Sequence, residues 1–346
     1  MTDLERAVRD QAKELERQKD RIEQLQESVQ LLLDFAGQIN AERERSFSLL
    51  KPALGLNPQH VPRPLRVPRR YLAAVPPTPA PLISIVTPTL NQGPFIERTV
   101  RSVLGQGYPN VEYVVQDGGS TDGTLDVLDR YSERLTRVVS EPDAGQADAI
   151  NRGFAVTGGE IMAYLNSDDL LLPGALAFVA RFFATHPKVD AVYGHRILID
   201  QDDQDIGMWF LPPHRNWVVT IQDFVPQETL FWRRRAWAKV GGRLDPRLSY
   251  AMDWDLLLSL VSSGHTLVRL PRFLGAFRVH PDQKTVTSTK AALAEAAELR
   301  ERYHGRQVSP GEMERRLRPF FARQKLAHLQ QTAVDRLPLS RIEVPA

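Results

Sequence analysis

The carboxylates of this 346-residue chain that are spaced to do chemistry are Asp117, the adjacent pair Asp168 and Asp169, and Asp253. Asp168 and Asp169 close the polar stretch Asn166-Ser167-Asp168-Asp169, directly after Glu160 to Leu165, which reads as a short buried strand. In an open parallel sheet, ligands sit beyond the carboxyl ends of the strands. Paired acids there can hold a hard divalent cation, Mg²⁺ or Mn²⁺, against a phosphate and leave coordination positions for phosphate oxygens. Asp117 ends a second predicted strand and can accept a hydrogen bond from a pyrimidine imide N–H, while Gly118-Gly119 let a ligand come close to the backbone. Asp253 opens a predicted helix and is placed to take a proton from an incoming hydroxyl. A base pocket, a cation site for a diphosphate and a general base are what transfer from a phosphate-bearing sugar donor requires. Each position also has a plain structural use: Asp117 and Ser120 in a polar turn, Ser167 and Asp168 as a strand end and helix cap, and Asp253 as compensation for the helix dipole.

The elements that must hold these residues alternate along the chain. Strands are predicted at Ile83 to Thr87, Val111 to Val115, Leu135 to Val139, Glu160 to Leu165 and Ala191 to Tyr193, with helices near 94–104, 124–131, 146–155 and 174–185 between them. That alternation predicts an α/β fold with a doubly wound, mostly parallel sheet flanked by helices. Beyond Tyr193 the pattern loosens, recovers as an apolar stretch at Glu228 to Trp232, and reaches the acidic cluster Asp253-Trp254-Asp255 before a helix at 256–262.

Four segments follow from composition: 1–45, 46–81, 82–285 and 286–346. In the first, Leu4, Val8, Gln11, Leu15, Gln18, Ile22, Leu25, Val29, Leu32, Ala36 and Ile39 alternate in steps of four and three, so residues 4–39 predict a coiled-coil helix and a homo-oligomer, or a stripe packed on the chain's own domain. The second holds nine prolines and five Lys or Arg between Lys51 and Leu82 with no acid, reading as a semi-rigid spacer whose charge is solvated or touches anionic headgroups at a membrane surface. The last reads as wholly helical from 288 to about 334, either a solvated charged face, a peripheral membrane contact or a cover for an acceptor site.

The totals exclude several classes. A formal charge of +2 gives no argument for nucleic acid, and 42% hydrophobic residues allow a substantial core. The chain has no cysteine, which removes disulfides, thiolate catalysis and Cys-ligated zinc and fits a reducing compartment. No apolar run approaches a membrane span and the N-terminus is charged from Asp3, so a cytoplasmic location is expected.

Seven short runs, in order, resemble the family 2 glycosyltransferases. They are Ile83 to Asn91 (ISIVTPTLN), Asp117 to Gly123 (DGGSTDG), Glu141 to Gln146 with Asn151-Arg152-Gly153, Leu165 to Asp169, Phe231 to Arg234 with Val240-Gly241-Gly242, Met252 to Leu256, and Phe277 to His280. The resemblance covers roughly residues 82–282 and implies the GT-A fold. It further implies an inverting enzyme moving a sugar from a nucleoside-diphosphate sugar, UDP- or dTDP-linked, to a glycan or lipid-linked acceptor in surface polysaccharide synthesis. By position, Thr87, Pro88 and Asp117 match the nucleotide pocket, to which Asn91 in the first run and Asn151 in the third are also assigned. Asp168 matches the residue near ribose and metal, Asp169 the metal ligand, Asp253 the catalytic base, and His280 a position that reaches the metal or diphosphate in some members. Asn166 and Met252 stand where the pattern is often acidic. Two other readings are a catalytically silent coiled-coil scaffold, against which the intact acids speak, and a sugar-phosphate nucleotidyltransferase, which would usually want a basic Gly-rich loop in place of Asn91-Gln92-Gly93-Pro94.

Overall fold

The computed structural model describes residues 54–281, 283, 289–335 and 341–344, all within one compact unit, Pro52–Ala346. The heptad stripe of residues 4–39 lies outside the described residues. In chain order the elements are β1 (Arg63–Pro64), β2 (Arg66–Pro68), β3 (Ile83–Thr89), α1 (Gly93–Leu104), β4 (Val111–Asp117), α2 (Thr124–Arg130), β5 (Arg137–Ser140), α3 (Gln146–Ala155), β6 (Ile161–Tyr164), β7 (Leu170–Leu171), α4 (Ala175–Thr185), β8 (Ala191–Ile199) and β9 (Gln204–Trp209). There follow α5 (Asn216–Val219), β10 (Phe231–Arg233), α6 (Arg234–Lys239), α7 (Met252–Ser262), β11 (Leu267–Arg278), α8 (Thr289–His304), α9 (Pro310–Asp335) and β12 (Arg341–Glu343).

β3 is buried at all seven positions and pairs in parallel with β4 on one side and β6 on the other. β5 extends this parallel half beyond β4. Because a strand's side chains alternate, the near-continuous apolar runs of β3 and β4 feed two cores at once. Ile83, Ile85, Tyr113 and Val115 face the layer of α1, α2 and α4, whereas Val86 and Val114 face α3 and α7. The second half of the sheet is mixed. β10 joins β6 to β8 by antiparallel pairing, β9 runs antiparallel to β8, and the twelve-residue β11 runs parallel to β8 while pairing antiparallel with β7. The expected parallel sheet is therefore present as four adjacent strands, and the remainder follows a different order.

α3 lies against β3 with no room to spare, and its glycine shows why. A Cβ on Gly153 would stand 2.5 Å from Val86 Cγ1, a side chain that is itself fully buried. Gly153→Ala is expected to cost about 1–3 kcal/mol through overpacking, despite alanine's better helix propensity. Urea unfolding of the purified variant would register it as a lower midpoint at unchanged slope.

The described residues of the Pro-rich stretch and of the C-terminal segment pack within the same unit as the sheet. Leu65, Val67 and Tyr71 are buried in a third core with Ile197, Ile199, Met208 and Phe273. β1 and β2 are edge strands of two and three residues, the setting in which proline is tolerated. The alternation Leu65-Arg66-Val67 is a buried–exposed–buried strand pattern whose length is too short to stand out beside so many prolines. β12 pairs with β2, so the far end of the chain closes on this segment. The C-terminal stretch is two helices that part at Gly305, where φ is +66°. Leu299, Leu317 and Phe320 bury into the core shared with α3 and α7. Among the described residues, no helix is long and apolar enough to cross a membrane.

Candidate active site

The parallel register sets the carboxyl ends of β3, β4 and β6 at one edge of the sheet, and a cavity of about 610 Å³ opens there. Pro88 and Thr89 from the end of β3, Asn166 to Asp168 after β6, Asp253 at the start of α7 and His280 after β11 all line it. Four of the residues singled out from sequence, Pro88, Asp168, Asp253 and His280, are thus brought to one wall.

The loop carrying Asp168 is fixed from below. The buried Thr99 hydroxyl of α1 lies 2.8 Å from the carbonyl oxygens of both Ser167 and Asp169, to which it donates. Arg278, fully buried at the end of β11, donates its backbone N–H to Asp169 Oδ1 at 3.0 Å and its Nε–H to the Asp168 carbonyl at 2.8 Å. Its Nη1 reaches the Asp200 carbonyl at 2.9 Å and pairs with Asp203. Above this support the Asp168 carboxylate faces the His280 imidazole, Oδ2 to Nε2, at 3.2 Å.

Asp253 is pushed up to about 6, chiefly by burial of its carboxylate, with Arg196 pulling the other way. Its Oδ1 accepts the Trp254 N–H at 2.9 Å. Asp223 shares the cavity; the residue as a whole is exposed, while desolvation of its carboxyl and then the charge of Asp253 raise that group above the usual range. Behind both sits a bidentate ion pair. Arg196 donates Nε–H to Glu228 Oε1 at 2.8 Å and Nη2–H to Oε2 at 2.6 Å, with its guanidinium between the Trp209 ring at 4.4 Å and the Phe277 ring at 4.2 Å. Next to Glu228, Gln227 donates Nε2–H to the Tyr164 carbonyl at 2.8 Å, and its buried Oε1 has no partner among the described residues. The N-terminal segment closes one side: Leu54 and Leu56 line the cavity, the Gly55 carbonyl accepts Trp209 Nε1–H, and Gln59 is bonded to Met208 in both directions.

Five expected site residues are placed elsewhere, each for a visible reason. Asp169 is 1% exposed and does not line the cavity; its carboxyl is raised well above the usual range by burial first and by Asp168 second. Thr87 is fully buried with its hydroxyl 3.0 Å from that of Tyr113, so it braces β3 on β4. Asn151 holds both backbone groups of Leu244, at 2.9 and 2.8 Å. Asn91, in the left-handed region at φ +53°, accepts the Thr121 N–H at 2.9 Å. Asp117, fully buried, takes the N–H groups of Gly119 and Ser120 and the hydroxyls of Ser120 and Ser140. Conversely, Asp223, Gln227, Glu228 and Arg196 were not singled out from sequence. Glu228 had one visible signal, an acid opening an otherwise apolar run.

The arrangement of the sheet, with a cavity at the strand ends, is that of the GT-A fold. Residues 84–237 match the family model for glycosyl transferase family 2. A PGL/p-HBAD biosynthesis glycosyltransferase of Mycobacterium bovis BCG is 29% identical over 194 residues, which is 55% of this chain and 73% of that protein. Of two further curated relatives the chain spans less, 39% and 36% of their length. Among solved structures, Staphylococcus aureus TarS 1–349 in complex with UDP-GlcNAc superposes with a TM-score of 0.54 at 16% identity, covering 72% of this chain and 73% of that one. The mannosyltransferase PcManGT from Pyrobaculum calidifontis, in complex with GDP-Man and Mn²⁺, superposes at 0.51 and 19% identity, covering 84% and 81%.

Proposed function

We propose that this protein is an inverting, metal-dependent glycosyltransferase of surface polysaccharide or glycolipid synthesis, working in the cytoplasm. It moves a sugar from a UDP- or dTDP-linked donor to a hydroxyl of a glycan or lipid-linked acceptor. The observation that carries the reading is the opening of Asp253 into the same cavity as the Asp168–His280 pair. A carboxylate raised to about 6 by burial is ionised at neutral pH yet basic enough to receive a proton as it is released. In the step it serves, the acceptor oxygen bonds to the anomeric carbon, the bond from that carbon to the diphosphate oxygen breaks on the opposite face, and the hydroxyl proton passes to Asp253. The nucleoside diphosphate leaves. The UDP-GlcNAc bound by one structural neighbour is consistent with a UDP-linked donor.

The residues present fit a divalent cation. An acid oxygen and an imidazole nitrogen, on a loop fixed by Thr99 and Arg278, face one cavity, and among the described residues no third His, Cys, Asp or Glu side chain completes a closed site. Asp168 and His280 would hold the ion, leaving positions for water and phosphate oxygens. When bound, it offsets charge on the departing diphosphate. For the base, Asp117 is proposed from its place in the matching run alone: it is fully buried, and its bonds to Ser120 and Ser140 would have to yield before a uracil or thymine N–H could reach it.

The test is release of nucleoside diphosphate from a panel of UDP-, dTDP- and GDP-sugars with Mn²⁺, with Mg²⁺ and with chelator. Release from one donor, lost with chelator and in Asp168→Ala but retained at a reduced level in His280→Ala, is the expected result. Failure to bind any nucleoside diphosphate would refute the reading and favour the silent scaffold.

A further inference from the structure

The proposed base, Asp253, is held by a helix that lies beyond the resemblance over residues 82–282. α7 begins at Met252, and the three residues before it, Ser249, Tyr250 and Ala251, turn the chain into the helix with their backbone N–H groups pointing away from it. None of these donors has an intrahelical acceptor, as is usual just before a helix. All three are taken by one carboxylate. Glu295 of α8 accepts Ser249 N–H on Oε1 at 2.8 Å, and Tyr250 and Ala251 N–H on Oε2 at 2.8 and 3.0 Å.

What this carboxylate fixes is specific. Ser249, Tyr250, Met252 and Asp253 all line the cavity, so its three bonds set the rim beside the base and the point from which Asp253 projects. α8 is registered on α7 by independent contacts: Leu299 is 1% exposed in the shared core, Arg302 pairs with Asp255, and the Arg300 guanidinium lies 5.4 Å from the Trp254 ring. Glu295 therefore reaches the loop from an anchored helix.

We propose that Glu295 is a positioning residue for the transfer reaction: it acts through the 249–251 backbone to hold Asp253 at the angle from which it meets the acceptor hydroxyl. The C-terminal helices are then part of the active site. This rests on the reading of Asp253 as the base.

The test uses the full chain with Glu295→Ala and Glu295→Gln, the amide keeping one acceptor oxygen for two of the three donors. Amide hydrogen exchange should quicken at 249–251 in the alanine variant while the parallel strands stay protected. With whichever donor the wild type turns over, kcat should fall by a factor on the order of 10² in Glu295→Ala, with the donor KM and nucleoside-diphosphate affinity within about threefold of wild type, and the Gln variant should recover part of the loss. Faster exchange with unchanged kcat would overturn the proposal, leaving Glu295 a local stabiliser. A parallel fall in kcat and nucleotide affinity would overturn it too, since the whole cavity would then have collapsed. A wild type that binds nucleotide but whose Asp253→Asn variant transfers normally would remove the premise instead.

Discussion

Asp253→Asn is expected to lower kcat by about 10²–10⁴-fold, the usual worth of a general base, while leaving nucleoside-diphosphate affinity nearly unchanged. The substitution is close to isosteric, and its Oδ1 can still accept the Trp254 N–H, so the start of α7 should persist. In the wild type, kcat/KM should fall as pH drops through about 6, because the base must be ionised and burial lifts its carboxyl to about that value. The variant should lose this acid limb. Stability should move the opposite way. A folded-state carboxyl raised above its unfolded value binds its proton more tightly in the folded protein, so its contribution favours folding at low pH and is lost as pH rises from 3.8 through about 6. Above that range the ionised Asp253 costs the fold something on the order of 1–3 kcal/mol, which the amide relieves. A variant that is thermally more stable at pH 8 and nearly inactive is the combined signature, read by thermal unfolding beside steady-state kinetics. Full activity with unchanged folding would show that Asp253 is not the base.

The position of Asp253 was largely legible in the sequence, because an acid at the mouth of a helix after a loop is a local signal. So were β3, β4, β6, α1 and α3, whose apolar periods match the observed bounds to within a few residues. What escaped was whatever depends on distant partners. β11 alternates poorly and contains Pro271, yet it runs for twelve residues because β8 offers it a full parallel edge. β2 is hidden among prolines and exists because β12, more than 270 residues away, pairs with it through Arg66 and Glu343. The site divides in the same way. Asp168 and His280 belong to recognisable runs, but that Asp168 faces the cavity while Asp169 is buried depends on Arg278 and Thr99, from two other elements. A neighbouring pair of acids carries no sign in its own sequence of which one turns inward.

Arg196 shows how far such a distant arrangement can matter. Removing its charge in Arg196→Met is expected to destabilise the fold by about 3–5 kcal/mol, a large share of a typical domain's 5–15 kcal/mol. The guanidinium is 7% exposed and Glu228 not at all, so the methionine variant leaves a carboxylate in the interior with its bidentate partner gone. Asp169 and Asp253 both feel the Glu228 charge, which worsens the position of the orphaned anion. No new side chain can move in to help, because a Cβ on Gly275 would already stand 2.7 Å from Glu228 Cγ. The relief open to the variant is for Glu228 to take up a proton, so the loss in stability should shrink as pH falls, whereas simple loss of packing against Trp209 and Phe277 would be the same at every pH. Urea unfolding at pH 5 and pH 8 separates the two. The double variant Arg196→Met/Glu228→Leu sharpens the argument: if the cost is an uncompensated buried charge, removing both members should restore most of the stability lost by the first, whereas additive losses would mean that packing, not charge, holds this wall of the cavity together.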